Sequence, residues 1–211
     1  MDVLHELSAS LQAGDPSRTA ELTQQAIALG TGTKEILNDG LIAGMAVVGA
    51  QFKAHAIFLP DVLLAAKAMY AGLDILKPHM LADGVPTIGR VVIGTVQGDL
   101  HDIGKNLAGI MLKGAGFEVI DLGKDVPPER FVEEAAKVNA DAIGMSALLT
   151  TTMPVMKRVI ALAEERGIRS QTKVLVGGAP LSAEYAQEIG ADAYCFDGLK
   201  AVECLKRFVG K

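Results

Sequence analysis

The sequence predicts a chain in two parts: an all-α N-terminal domain built as a four-helix bundle, then an α/β domain around a doubly wound, five-stranded parallel sheet. Three observations predict it. Apolar residues recur at helical spacing up to about position 80. Beyond about position 90, short β-rich runs alternate with helical patterns. Between the two, Lys77–Gly89 collects Pro78, Gly84, Pro86 and Gly89 without any periodicity. The boundaries read as 1–82 for the helical cap, 83–89 for a linker and 90–211 for the α/β domain. A chain of 211 residues is ample for two packed cores of this size.

In the first part, Leu4, Leu7 and Leu11 share one helical face, and Gly14 ends that helix. Asp15 followed by Pro16 reads as an N-cap with proline at the first helical position, opening a second helix through about Ala28. Thr33 caps a third helix that carries Ile36, Leu37, Met45 and Val48, with Gly40, Gly44 and Gly49 along it. Interior glycines each cost roughly 1 kcal/mol against alanine, so several together predict a face where another backbone comes very close. Pro60 opens the fourth helix, with Leu63, Ala66, Met69, Tyr70, Leu73 and Leu76 in register. Four helices and short connections imply an antiparallel bundle.

In the second part the β-rich runs are Val91–Thr95, Glu118–Leu122, Ala142–Ser146, Lys173–Val176 and Ala193–Phe196. Helical patterns fall at about Lys105–Gly114, Pro128–Val138, Met153–Arg166, Ser182–Glu188 and Leu199–Phe208. Apolar strands alternating with helices mean a parallel sheet covered on both faces. The count fits a flavodoxin/Rossmann-like doubly wound domain, in which ligands sit outside the carboxyl ends of the strands.

Composition excludes several roles. Half the residues are apolar and 21% are charged, so the chain is no disordered tail. The net charge is −5 and aromatics make up 4%, which argues against a nucleic-acid partner. The helical part is the more acidic, with nine acidic against five basic residues up to position 88. The longest uncharged apolar stretch, Leu41–Ala50, is half what a membrane span needs, and MDVLHELSAS lacks the form of a signal peptide. Cys195 and Cys204 lie nine positions apart, which suits neither a disulfide framework nor a C-x-x-C motif. The expectation is a soluble, cytoplasmic protein with no membrane partner.

The loop after the first strand reads Gly98-Asp99-Leu100-His101-Asp102-Ile103-Gly104-Lys105-Asn106. It is no phosphate loop: five residues separate the glycines instead of four, Asn106 stands where Ser or Thr is needed, and Asp99 and Asp102 would face the anion. A dinucleotide fingerprint fails as well. What remains is a histidine flanked by carboxylates at a ligand-binding edge. A carboxylate that accepts the proton of one ring nitrogen makes the other a better metal ligand, although a solvated or helix-capping histidine is an equally ordinary reading of the local chemistry. A zinc site is excluded by the placement of His5, His55 and His79 in the helical part. A single protein ligand suffices only where a macrocycle supplies the rest of the coordination.

The motif D-x-H-x-x-G (Asp99 to Gly104), then S-x-L (Ser146-Ala147-Leu148) and a Gly-Gly pair (Gly177-Gly178), resembles the cobalamin-binding module of methionine synthase and its relatives. The helical part is similar to the four-helix cap of that family. Length and layout look most like the corrinoid proteins of anaerobic methyltransferase systems, which serve methanol, methylamines, glycine betaine or aryl methyl ethers.

The resemblance implies roles residue by residue. His101 replaces the cofactor's own base as lower cobalt ligand, in the base-off/His-on form, and is the metal-binding residue. Asp99 bonds the imidazole, and Thr152 completes the proton relay. Asp102, Ile103 and Gly104 belong to the same loop. Ser146, Leu148 and Thr150 line the channel for the displaced nucleotide tail, and Gly177 and Gly178 leave it room. In the cap, Phe52 and Leu59, with Val62 extending the surface, cover the upper face of the corrin.

The function so implied is that of a methyl carrier, the corrinoid subunit of an enzyme system and not a stand-alone enzyme. The cobalt of its cobalamin accepts a methyl group from a substrate:corrinoid methyltransferase. A methylcorrinoid:acceptor methyltransferase then passes it to an acceptor such as tetrahydrofolate or coenzyme M, and a reductive activator is a further partner. Lys77–Gly89 would be the hinge on which the cap moves aside. The alternative is a cobalamin-binding sensor, which usually adds a DNA-binding or signalling module.

Overall fold

The computed structural model describes residues 2–82 and 87–210. The chain divides into two compact units, the first up to Thr87 together with Gly114–Gly116, the second Ile88–Lys113 and from Phe117 onward. Residues 83–86 of the expected linker lie outside the described residues.

The first unit is helical. Helix α1 (Val3–Gln12) is capped by Asp2, whose side chain accepts from the Leu4 N–H. Helix α2 (Pro16–Ala28) is capped by Asp15 through the Arg18 N–H, with Pro16 in its first turn, as the Asp-Pro pair predicts. The third rod is continuous but not uniform: α3 (Thr33–Glu35), a π-helical segment (Ile36–Ile42) and α4 (Ala43–Lys53). Thr33 is the first residue of that rod, not its cap. Gly32 takes the cap position without a side-chain bond, and Thr33 is buried. A Cβ on Gly40 would lie 2.6 Å from Leu7 Cδ2, and one on Gly44 would lie 3.0 Å from the Ser8 carbonyl oxygen. The interior glycines therefore let α1 approach this rod closely, as their number along it predicts.

Helix α5 (Leu59–Ala82) runs past Pro78, so Lys77–Ala82 is helix where a linker is expected. A proline removes one N–H donor and costs about 3 kcal/mol in a helix interior, yet the Met and Leu that follow are strong helix formers. Leu63 of α5 is about half exposed, whereas Ala66, Met69 and Leu76 are buried.

The second unit is the doubly wound sheet. Its strands are β1 (Arg90–Thr95), β2 (Glu118–Asp121), β3 (Ala142–Ser146), β4 (Lys173–Gly177) and β5 (Ala193–Tyr194). All pairings are parallel, in the order β2-β1-β3-β4-β5. Helices α6 (Ile103–Gly114), α7 (Pro128–Val138), α8 (Pro154–Glu165), α9 (Ala183–Glu188) and α10 (Gly198–Phe208) connect and flank them. On one face Val92, Ile143, Val174 and Val176 pack with Phe131, Val132, Met156, Val159 and Ile160 of α7 and α8. On the other, a Cβ on Gly109 of α6 would lie 2.8 Å from Ile93 Cδ1. The register places Thr95, Ser146 and Gly177 side by side at the carboxyl ends of β1, β3 and β4. Among the described residues no helix is long and apolar enough to cross a membrane.

Candidate functional site

Three loops leave the sheet at that edge. The first carries Asp99 and His101. After β1 the chain turns at Gly98 (φ +84), which lets Asp99 fold back under the strand ends. Asp99 is fully buried, and its carboxylate is saturated with donors. Oδ1 accepts from the His101 backbone N–H at 3.0 Å and from His101 Nδ1 at 2.7 Å. Oδ2 accepts from the N–H groups of Leu148 and Leu149 at 2.6 and 3.2 Å and from the Thr152 hydroxyl at 3.1 Å. Burial by itself would raise this carboxyl, but the backbone bonds from His101 and Leu148, with the His101 ring and Thr152, outweigh it. They hold Asp99 well below the usual carboxylate range.

A carboxylate only accepts, so His101 Nδ1 is the donor of this pair and Nε2 takes no part in it. The His101 side chain is 53% exposed. Leu100 and Ile103 of the same loop, and Leu148 and Leu149, whose amides bond Asp99, are all 40% exposed or more. Four large apolar side chains left open on loops that meet at Asp99 suit a broad apolar ligand better than a hydrated ion. Among the described residues no three His, Cys, Asp or Glu side chains converge on a metal position. The donor set therefore fits a metal that brings its other ligands with it, as a corrinoid does. The neighbourhood of Gly104 is open as well, since a Cβ there would meet nothing within 4 Å.

The other expected residues fall as follows. Asp102 precedes α6, and its carbonyl accepts from the Asn106 N–H. Ser146 is half-buried at the end of β3, its carbonyl accepting from the Val96 N–H, and Thr150 is exposed on the following turn. Leu148 is brought to Asp99 by its backbone, a role its side chain does not disclose. Gly178 has φ +138, and a Cβ there would overlap the Ala147 carbonyl oxygen, while a Cβ on Gly177 would lie 2.8 Å from the Cys195 carbonyl oxygen. These glycines are thus required by neighbouring backbone, before any ligand is considered. In the helical unit Phe52 and Leu59 are half-buried at the two ends of the turn between α4 and α5. Val62 is fully buried, so it packs inward and does not extend an exposed surface.

Sequence reasoning misses several residues here. Thr95, fully buried, donates its hydroxyl to the His101 carbonyl at 2.9 Å. Lys105 is 4% exposed and donates to both carboxylate oxygens of Asp121, at 2.7 and 2.6 Å, and to Asn106 Oδ1 at 2.6 Å. It ties the start of α6 to the end of β2. Its position directly after the motif glycine is the one signal that could have flagged it.

Comparison with known proteins finds matches over both parts of the chain. Residues 89–205 match the family model of a B12 binding domain, and residues 3–77 match a second B12 binding domain model. A corrinoid protein of Desulfitobacterium hafniense (strain Y51) is 44% identical over 214 residues, covering 100% of this chain and 99% of the relative. Dimethylamine corrinoid protein 2 of Methanosarcina acetivorans is 45% identical over 99% of this chain and 96% of its own length. Among solved structures, the methanol:cobalamin methyltransferase complex MtaBC of Methanosarcina barkeri superimposes with a TM-score of 0.90. The identity is 29%, covering 99% of this chain and 80% of that one.

Proposed function

The chain belongs to the B12-binding family of corrinoid proteins of methyltransferase systems, and on that premise we propose that it is a methyl carrier whose corrinoid is held by His101. The observation that carries this reading is the buried Asp99 carboxylate, which engages His101 Nδ1 and leaves Nε2 outside the pair on a half-exposed side chain. When bound, the corrinoid supplies the cobalt that receives and releases the methyl group.

The chain's own residues do the rest. Asp99 holds Nδ1 as a donor and so leaves Nε2 to serve as the metal ligand. Thr152 and the amides of Leu148 and Leu149 keep Asp99 ionised and stationary. Leu100, Ile103, Leu148 and Leu149 offer open apolar surface to the cofactor. Ser146 and Thr150 offer hydroxyls at the same sheet edge to the polar tail of the cofactor. One partner is a methyltransferase that loads the carrier. The relatives named for dimethylamine and trimethylamine favour methylated amines as its donors. A second methyltransferase unloads it to an acceptor such as tetrahydrofolate or coenzyme M, and a reductive activator restores the cobalt.

The test is anaerobic reconstitution with hydroxocobalamin, desalting and an ultraviolet-visible spectrum, run beside His101→Ala. The expected result is retained, roughly stoichiometric corrinoid with a spectrum that changes in the variant. Folded parent protein that retains none would overturn the reading, and an unchanged spectrum in the variant would remove His101 as the ligand.

A further inference from the structure

We propose that Asp125, in the loop after β2, is a positioning residue for His101: it clamps the loop after β1 in the one form that aims Asp99 at the imidazole. Two hydrogen bonds of opposite sense make the clamp. The Asp125 N–H donates to the Asp99 carbonyl at 3.1 Å, and the Asp125 carboxylate Oδ1 accepts from the Gly98 N–H at 2.8 Å. They seize two successive residues of one loop from a single residue of the other, and so hold the peptide planes on either side of the Gly98–Asp99 link, whose own plane is pinned by the Asp99 N–H donating to the Val96 carbonyl at 3.1 Å. Without the carboxylate the plane before Gly98 is released.

Asp125 is itself held at a special place. Its φ is +55, in the left-handed region that Asp and Asn enter more readily than other residues with a Cβ. On either side its loop is stitched to β1. The Thr95 N–H donates to the Gly123 carbonyl at 2.9 Å, and the Val126 N–H donates to the Thr95 carbonyl at 3.0 Å. Thr95 also bonds the His101 carbonyl through its hydroxyl. The clamp thus stands on a fixed strand end and acts on the two residues before Leu100 and His101. From there Asp99 reaches the third loop through Leu148, Leu149 and Thr152. A side chain with no reach to the imidazole would in this way decide whether the imidazole is correctly presented.

The consequence for cobalt rests on the reading of His101 given above, whereas the clamp is a property of the chain alone. The two are therefore separable. In ¹⁵N-labelled protein without cofactor, the exchange rate of the Gly98 amide and the His101 ring nitrogen shifts are measured for the parent, Asp125→Asn, Asp125→Gly and Asp125→Ala. Asparagine keeps an acceptor and tolerates the left-handed backbone. Glycine tolerates the backbone but has no acceptor, and alanine lacks both advantages. The clamp predicts about tenfold faster exchange at Gly98 in the Gly and Ala variants, together with loss of the parent's hydrogen-bonded Nδ1 signal. Asp125→Asn restores both. A parent-like ring pattern in Asp125→Gly would overturn the proposal, because a turn residue needed only for its backbone conformation would give that result. Should Asp125→Ala fail to fold, the Asn and Gly pair still decides. Hydroxocobalamin added to the same set tests the cobalt reading separately: a parent that binds none, with a ring pattern that still follows Asp125, would leave the clamp standing and remove the ligand role.

Discussion

Asp99 and His101, two residues apart in the chain, meet twice at a single oxygen. Oδ1 of the buried carboxylate accepts both the backbone N–H of His101, at 3.0 Å, and its ring Nδ1, at 2.7 Å. The backbone bond sets the turn, and the turn sets the ring, so the tautomer follows from a local chain reversal. The other oxygen ties this turn to the loop after β3, some fifty residues away.

Stability should therefore depend on pH through Asp99. Its carboxyl lies below its ordinary value in the fold, so the unfolded chain takes up the proton first and stability rises with pH across the interval between the two values. The contribution is present in full above about pH 5 and is lost progressively as pH falls through about 4 toward the lower folded value. Urea midpoints of the parent and Asp99→Asn, followed from pH 7 to pH 3, should differ most at neutral pH and converge in acid. A gap that stays constant would contradict this.

Thr152→Val should cost about 1 kcal/mol in denaturant unfolding, because the buried Asp99 carboxylate loses one donor while shape is kept. Thr152→Ser keeps the hydroxyl and should recover most of that loss. A loss in Thr152→Ser with none in Thr152→Val would show that the methyl group, not the hydroxyl, matters at this position.

Gly178→Ala should destabilise by about 2 kcal/mol or more, since a Cβ would overlap the Ala147 carbonyl oxygen at a φ that side chains rarely adopt. Gly104→Ala is the control. Its Cβ would enter open space on α6, so folding should be unchanged or slightly improved. Loss of corrinoid retention in Gly104→Ala at full stability would be a binding effect, which Gly178 variants cannot isolate.

The Lys105–Asp121 pair should respond asymmetrically. Lys105→Met leaves Asp121, which is 37% exposed, free to regain water, and should cost about 1 kcal/mol. Asp121→Ala strands a buried ammonium with Asn106 Oδ1 as its remaining acceptor, and should cost about 3 kcal/mol. Denaturant midpoints measure both, and the reverse order would show that the ammonium reaches water.

Much of the site is legible in sequence because its first contacts are local. The Asp99–His101 pair lies within one turn, and Asp15-Pro16 opens α2 as written. Other expectations fail where packing competes with local grammar. Pro78 sits inside α5 instead of ending it. Thr33 begins its rod instead of capping it. Val62 turns inward, because helical spacing identifies an apolar face without saying which member of it stays at the rim.

The sequence by itself determined the order and kind of the elements, the two-part layout and the histidine at the edge of the sheet. These follow from apolar periodicity, turn residues and a motif of six consecutive residues. Only the tertiary structure decided which groups hold that histidine's loop in place, the amides of Leu148 and Leu149, the Thr95 hydroxyl and the Asp125 carboxylate, and that the buried Lys105 ties α6 to β2. Their roles depend on the parallel register that brings Thr95, Ser146 and Gly177 level, and on loops that meet only once three strands have paired. A backbone N–H is the same in every residue but proline, so its partner is chosen by the fold and leaves no mark in the sequence.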